Sequence, residues 1–511
     1  MSDTQTNNKQ IAKNAAALYF RMIITMLVGL YTSRVILNAL GVEDFGVYNV
    51  VGGFVSMFAL ISGALQNSVI RFLMYEHGAG DKERLKVVFS MSFFVMLGLG
   101  VLIVLATETV GLWYLYNKMV IPADRLTAAF WCFQFSVCSF ILSVISTPYS
   151  SSIIANEKMG VYAYISILDA GFKLLICYAV MVSPIDRLIT YAMLLFFVSA
   201  INQIIYLIYC KRKFQECTLH FIFNRTLFKQ MFGFAGWNFI GSSAIVLRSQ
   251  GANLLLNAFG GPIVNAANGI ANSICNIVSS FVTNFTQAFT PQITKRYAAA
   301  EYESLMKLLV TCSKYSYFLM YVLALPLFFN AHYILKLWLG IVPDYTVVFV
   351  RWILVFLLAE SLSRPIVTAK TANGNIRNYQ IIVGLTILLV IPIAYLGLKI
   401  GLPVTFVAFV NALVSIIVLF IRIYLLKGNF PFWSSRTFIK RVICNVLLVT
   451  LISCVLPSIS YHILPDGLMN FLVTSIVSFV SSCITVLCLG CSISERKLIF
   501  GKIKHVLHIK D

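Results

Sequence analysis

A few charged side chains of this chain sit where charge is most expensive. Arg21, Arg34, Arg71 and Arg248 fall inside long apolar runs, as do two acid-before-base pairs at i, i+4: Asp169 with Lys173 and Glu360 with Arg364. A charge at the centre of a membrane-spanning helix costs at least about 2.5–3.5 kcal/mol, so each needs a partner or a task. The two pairs can neutralise themselves, acid first being the favourable order on a helix. Asp169 and Glu360 could equally serve in ion coupling, and both readings stay open. Arg34 and Arg71 lie near the ends of their runs and can snorkel to the interface. Arg21 and Arg248 lie deeper, with no acidic residue three or four positions away. Guanidinium matches phosphate oxygens bidentately, so an anionic ligand would suit these four positions, Arg21 and Arg248 above all.

Amides and hydroxyls run in line with these arginines. At about 100° per residue, Asn265, Asn268, Asn272, Asn276, Ser279, Thr283 and Gln287 share one narrow helical face. Asn49, Gly52, Ser56, Gly63, Asn67 and Arg71 share another, and sparser lines join Asn14, Arg21, Thr25 and Thr32, and Asn238, Ser242, Ser249 and Asn253. One or two amides per helix serve as glue, at roughly 0.6 kcal/mol each. A stripe along a whole span points instead to a wet lumen, where these groups and the 24 tyrosines could meet sugar hydroxyls. Chemistry on bonds is not indicated. The six histidines (77, 220, 332, 462, 505 and 508) are scattered, and the CxxC of Cys488 and Cys491 has no second pair. No catalytic residue, metal or cofactor is expected, with H+ or Na+ coupling left open.

The elements that carry these residues follow from composition. Hydrophobic residues make up 59% and charged residues 11%, with a mean hydropathy of +0.86, whereas a water-soluble domain carries about 25% charged residues. Runs of about 20 apolar residues, enough to cross the bilayer, recur fourteen times: 14–40, 45–74, 87–107, 127–153, 160–182, 188–210, 231–258, 263–290, 308–329, 346–369, 379–399, 402–426, 442–459 and 468–490. The fold class is an all-α polytopic membrane protein, and no cleavable signal is expected. Basic residues between spans number 26 on the side of the N-terminus and 5 on the other, which places both termini in the cytoplasm. The +20 charge then faces anionic membrane lipid and needs no nucleic acid.

The chain also repeats itself. LNALG at 37–41 returns as LNAFG at 256–260, and SxPxxxxxxAN at 146–156 returns at 363–373, with offsets of 219 and 217. AGDKERLK after the second span is echoed by AAEYESLMK after the eighth. A duplicated unit of six spans keeps its orientation, so the halves form a parallel repeat with an expected pathway between the lobes. The expected organisation is a six-helix lobe at 1–210, a cytoplasmic linker at 211–230, a second six-helix lobe at 231–427, two further helices at 428–493 and a basic amphipathic tail at 494–511.

TSRVILNALGVEDFGVYNVV, EHGAGDKERLK and GWNFIGSSAIVLRSQGANLLLNAFG resemble bacterial polysaccharide and O-antigen flippases of the multidrug/oligosaccharidyl-lipid/polysaccharide (MOP) exporter superfamily. The resemblance implies two six-helix lobes and movement of an undecaprenyl-diphosphate-linked oligosaccharide from the inner to the outer leaflet of a bacterial cytoplasmic membrane. It implies that Arg21 and Arg248 engage the diphosphate, and it brings in glycan polymerase or assembly proteins as partners. Many such relatives carry an acidic residue in the middle of the seventh span; here the stretch reads RSQGAN. The alternative within the superfamily is an ion-coupled multidrug or organic-cation antiporter, and further off a membrane enzyme or a scaffold of glycan assembly.

Overall fold

The computed structural model describes residues 3–117, 119, 121–220, 224–339, 342–427, 433–465, 467–491 and 496, and within these the side chains of 3–13, 30, 33, 34, 37, 42, 43, 49, 123, 262 and 339 are left aside. The expected tail helix lies outside the described residues apart from Arg496.

Among the described residues every regular element is helical, as hydrocarbon requires of a chain that must pair its own backbone. In order they are α1 (Asp3–Ser56), α2 (Ala59–Ala79), α3 (Lys82–Asn117, with a π-turn at Thr107–Gly111), α4 (Leu126–Ala155), α5 (Met159–Met181), α6 (Arg187–Lys213), α7 (Arg225–Ala298), α8 (Tyr302–Leu339), α9 (Thr346–Asn373), α10 (Arg377–Lys399), α11 (Phe406–Leu426), α12 (Ser435–Ile463) and α13 (Leu468–Gly490). Helices α1 and α7 are each two rods, broken at Gly41 and Gly261. Ten helices are long and apolar enough to cross a membrane, and the second arm of α1 with α2 makes an eleventh. The first arm of α1 and both arms of α7 complete fourteen rods. These three carry polar lines read from the sequence, which is why hydropathy alone separates them from the rest.

The duplication is written into the backbone. Nine described residues have positive φ, and six of them form three pairs at the repeat spacing: Gly41 with Gly261, Gly80 with Ala300, and Glu157 with Gly374. The pairs are 220, 220 and 217 residues apart, close to the offsets of the sequence matches. The first pair corrects the sequence alignment by one residue, since LNAFG set Gly260 opposite Gly41 but the left-handed residue is Gly261. Their dihedrals agree closely, φ 80° and ψ 169° at Gly41 against φ 72° and ψ −174° at Gly261. Pro148 and Pro365 likewise fall inside α4 and α9.

The chain divides into two compact units, one of residues 1–242, 287–300 and 374–377, the other of 243–286, 301–373 and 378–511. In the first, Phe89 and Phe93 stack edge-on against the buried Tyr149, and Arg125 binds both Asp44 (Nε–Oδ1 2.7 Å) and Asp186 (Nη1–Oδ2 2.6 Å). Asp186 also caps α6, accepting from the amides of Leu188 and Ile189. In the second, the last two helices dock on α8 by hydrogen bonds as well as by shape. The Tyr317 hydroxyl meets Thr450 Oγ1 at 2.8 Å, Tyr321 meets Ser453 Oγ at 2.7 Å, and Lys314 Nζ donates to the Gly490 carbonyl at 2.7 Å. Lipid tails are as apolar as leucine, so such polar and close-packed contacts hold helices together better than greasiness does. The outer face of α12 keeps Leu447, Leu451, Val455 and Ile459 exposed, as a lipid-facing surface should.

At Gly41 and Gly261 an added Cβ would meet nothing within 4 Å, so an alanine there suffers only from its backbone. Gly41→Ala and Gly261→Ala should each cost about 1–3 kcal/mol, read as a lower thermal midpoint of the purified protein in detergent. Gly269→Ala, equally open but in ordinary helix, should leave the midpoint unchanged or raise it.

Candidate functional site

Each unit contains a cavity inside its own bundle with polar side chains in its wall. That of the first unit, about 340 Å³, is walled by the first arm of α1 (Thr25, Thr32), α5 (Ser166, Asp169, Lys173) and α6 (Asn202, Tyr206). The expected pair forms, Lys173 Nζ lying 2.8 Å from Asp169 Oδ2. Asn202 Nδ2 donates to the other carboxylate oxygen at 2.7 Å. Both oxygens of Asp169 are therefore engaged, which a helix-by-helix reading could not foresee for Asn202. Arg21 is not the partnerless charge that the sequence suggested. Its guanidinium lies over the ring of Tyr162, 5.0 Å from the centroid, a contact supplied by a different helix.

The cavity of the second unit, about 140 Å³, gathers the amides of α7. Arg248, Asn253, Asn268, Asn272 and Asn276 line it, with Asn411 of α11 and Phe356 of α9 opposite. Asn268 Nδ2 donates to Asn253 Oδ1 at 3.0 Å, and Asn272 Nδ2 to the Asn268 carbonyl at 2.8 Å. The two arms of α7 are thus stitched together across Gly261, while each amide keeps further donor or acceptor capacity for a guest. Arg248 lies over Phe356, 4.8 Å from the ring centroid, an arrangement that holds a planar cation without neutralising it.

One turn beyond Phe356, Glu360 does not take the partner that the sequence proposed. Its ion pair is with Arg422 of α11, whose Nη1 lies 3.1 and 3.2 Å from the two carboxylate oxygens. Arg364, at i+4, and Arg248 are in its neighbourhood but form no ion pair with it among the described residues. Arg422 is one of the 26 basic residues assigned between spans to the side of the N-terminus, but it is buried within α11 and bonds to α9. Glu360 is thus one carboxylate facing three guanidiniums, and this part of the second unit carries a net charge of +2.

The remaining candidates lie elsewhere. Arg71 sits against Phe72, Tyr75 and Phe234, with ring centroids at 4.5, 4.9 and 5.7 Å, in an aromatic cage within the first unit. Asn67 and Gln287 are exposed, and Asn265, half-buried, is not in the cavity wall. The side chains of Arg34 and Asn49 lie outside those described. Sequence reasoning missed Asn202, Phe356, Asn411 and Arg422 as site residues; only a tilt in the hydropathy of their helices could have hinted at them. Among the described residues no group of three metal-ligating side chains occurs.

A family model described as polysaccharide biosynthesis protein matches residues 11–297. The chain belongs to that family. A second model, MatE, matches residues 240–396. No curated protein sequence matches. Among solved structures, a MATE transporter in its bent conformation is 15% identical, with 84% of this chain and 97% of that one covered at a TM-score of 0.72. A MATE in the straight conformation is also 15% identical, covering 85% and 96% at 0.69. A MOP superfamily transporter from Pyrococcus furiosus, described as having a binding pocket of reverse polarity that suggests a different function, is 14% identical, covering 83% and 96% at 0.70. The fold is therefore that of the MATE transporters, and the chain is a multi-pass membrane transporter of the MOP superfamily, not an enzyme.

The ion-pair geometry fixes an order of stabilities. Glu360→Ala would leave Arg422 buried without its carboxylate, a loss of about 3–5 kcal/mol. Arg248→Ala removes a cation that no carboxylate neutralises directly. The folded, monodisperse fraction in size-exclusion chromatography should fall sharply for Glu360→Ala and little for Arg248→Ala.

Proposed function

We propose that this polysaccharide biosynthesis family member flips an undecaprenyl-diphosphate-linked oligosaccharide, an O-antigen or capsular or exopolysaccharide repeat unit, from the inner to the outer leaflet by alternating access. The supporting observation is the cavity of the second unit: Arg248 is held by an aromatic ring within a wall of asparagines, and with Arg364, Arg422 and Glu360 it makes a cluster of net charge +2. Guanidinium suits the diphosphate and amides suit sugar hydroxyls. Arg21, in the first unit, is the second candidate for the diphosphate. The location proposed is the cytoplasmic membrane of a bacterium with both termini inside, on the strength of the 26-to-5 distribution of basic residues between spans, 25 to 5 with the buried Arg422 set aside. Glycan polymerase or assembly proteins are the proposed partners.

The rival cation antiporter draws support from the MatE match over 240–396. Against it stands the state of Asp169 and Glu360, both already engaged by cations of their own unit, Lys173 and Arg422. An organic cation or an exchangeable ion would have to displace a covalently tethered one.

Surface glycan output at matched protein levels tests the reading. Arg248→Ala should abolish output, with the lipid-linked precursor accumulating on the inner leaflet, and Arg21→Ala should weaken it. Arg248→Lys should rescue only partly, because a point charge loses the planar fork. Asn272→Leu should change which glycans are tolerated more than how fast any one moves. Normal output from both arginine-to-alanine variants would overturn the reading in favour of the antiporter.

A further inference from the structure

The left-handed residues that mark the duplication include one that should not be there by cost alone. Glu157, in the turn between α4 and α5, has φ 59°, whereas its counterpart in the second copy is Gly374 with φ 84°. L-residues seldom adopt this backbone, and a glycine would be the easy choice at both places. What Glu157 gains is visible. Its carboxylate is nearly buried at 8% exposure, accepts from Lys295 Nζ at 2.8 Å on Oε1, and accepts from Gln292 Nε2 at 2.7 Å on Oε2. Both donors come from the last turns of α7.

At the counterpart position the demand is inverted. A Cβ on Gly374 would lie 2.5 Å from Nη2 of Arg71, in the second half of α2. One copy's turn therefore needs a carboxylate to grip α7, and the other copy's turn needs no side chain at all to lie against Arg71. A third contact joins them. A Cβ on Gly78 of α2 would fall 2.6 Å from Lys295 Cα and 2.7 Å from its carbonyl oxygen, so the ends of α2 and α7 touch backbone to backbone. Tyr75 and Tyr297 lie beside this contact with ring centroids 6.5 Å apart.

Residues 287–300 and 374–377 are the pieces of chain that make these contacts, and both are short excursions whose flanking stretches belong to the second unit. The same short pieces of chain also bury Phe289, Ile293 and Ile376, but what grips the two turns is charge-assisted hydrogen bonds and glycine contacts. Such contacts are strong while dry and replaceable by water when they part.

We infer that Gly78, Glu157, Gln292, Lys295 and Gly374, with Arg71, form a reciprocal latch that shuts this end of the transporter, the cytoplasmic end in the orientation proposed above, and is undone once per transport cycle. The inference is independent of the substrate. A lipid-linked sugar and an organic cation would both have to wait for it.

The probe is Thr294→Cys, a position 3% exposed within the gripped turns of α7, in a chain whose twelve native cysteines are replaced, reconstituted in liposomes and labelled with a maleimide. Glu157→Gln should speed labelling on the order of tenfold, the loss of a charge-assisted contact. Gly78→Ala, which adds only a methyl group, should act in the same direction. Glu157→Lys and Lys295→Glu should each speed labelling, and the double reversal should bring it back toward the starting rate. That double variant keeps the ion pair and so guards against misreading a folding defect. Unchanged labelling in Glu157→Gln and Gly78→Ala with monodisperse protein would overturn the latch, as would a double reversal that labels as fast as either single change. Neither result would bear on whether Arg248 is needed for glycan export.

Discussion

In hydrocarbon an unpaired peptide group costs several kcal/mol, and no water is at hand to relieve it. That single constraint explains why every described regular element is a helix, and why α1 and α7 break only at residues with unusual backbone freedom, Gly41 and Gly261. It also explains where the polar side chains went. With lipid as apolar as the helices themselves, association must come from close approach and hydrogen bonds. Tyr317, Tyr321 and Lys314 do this for the last two helices, and Asn253 with Asn268 does it across the break in α7.

Charge obeys the same constraint more severely. Asp169 and Glu360 each found a cation, but by two different routes. Asp169 used its own helix and took Lys173 one turn away. Glu360 passed over Arg364, equally close in sequence, for Arg422 on another helix. Arg422 is the more deeply buried of the two, so its desolvation is what the carboxylate offsets. The arginine left over beside this pair, Arg248, is stacked on Phe356 and stays a cation facing the cavity. A surplus of positive charge in the wall favours an anion there over a cation, which is the ground of the function proposed above.

The duplication has been kept where backbone geometry required it and spent where side chains did work. The three pairs of left-handed residues persist across about 218 positions although their residue types have drifted, glycine to alanine at 80 and 300, and glutamate to glycine at 157 and 374. Turn conformation is thus the conserved quantity between the two copies. The side chain at each turn is free to differ, and the turns after α4 and α9 use that freedom in opposite ways.

From the sequence alone came the class of the fold, the fourteen rods, the duplication and the polar lines, because each depends on a local property: length of an apolar run, periodicity, or a repeated word. The Asp169–Lys173 pair was legible for the same reason, being one turn of one helix. The partners of Glu360, Arg21 and Glu157 were not. They lie on α11, α5 and α7, at separations in the chain that carry no periodic signal, and spacing cannot tell which of several arginines packing will bring closest. Periodicity puts the amides of α7 on one face, yet only tertiary packing decided that Asn268, Asn272 and Asn276 border a cavity while Asn265 and Gln287 are not in its wall. A stripe states a direction around one helix; what lies in that direction depends on the neighbours, and those are set by the packing of the whole bundle.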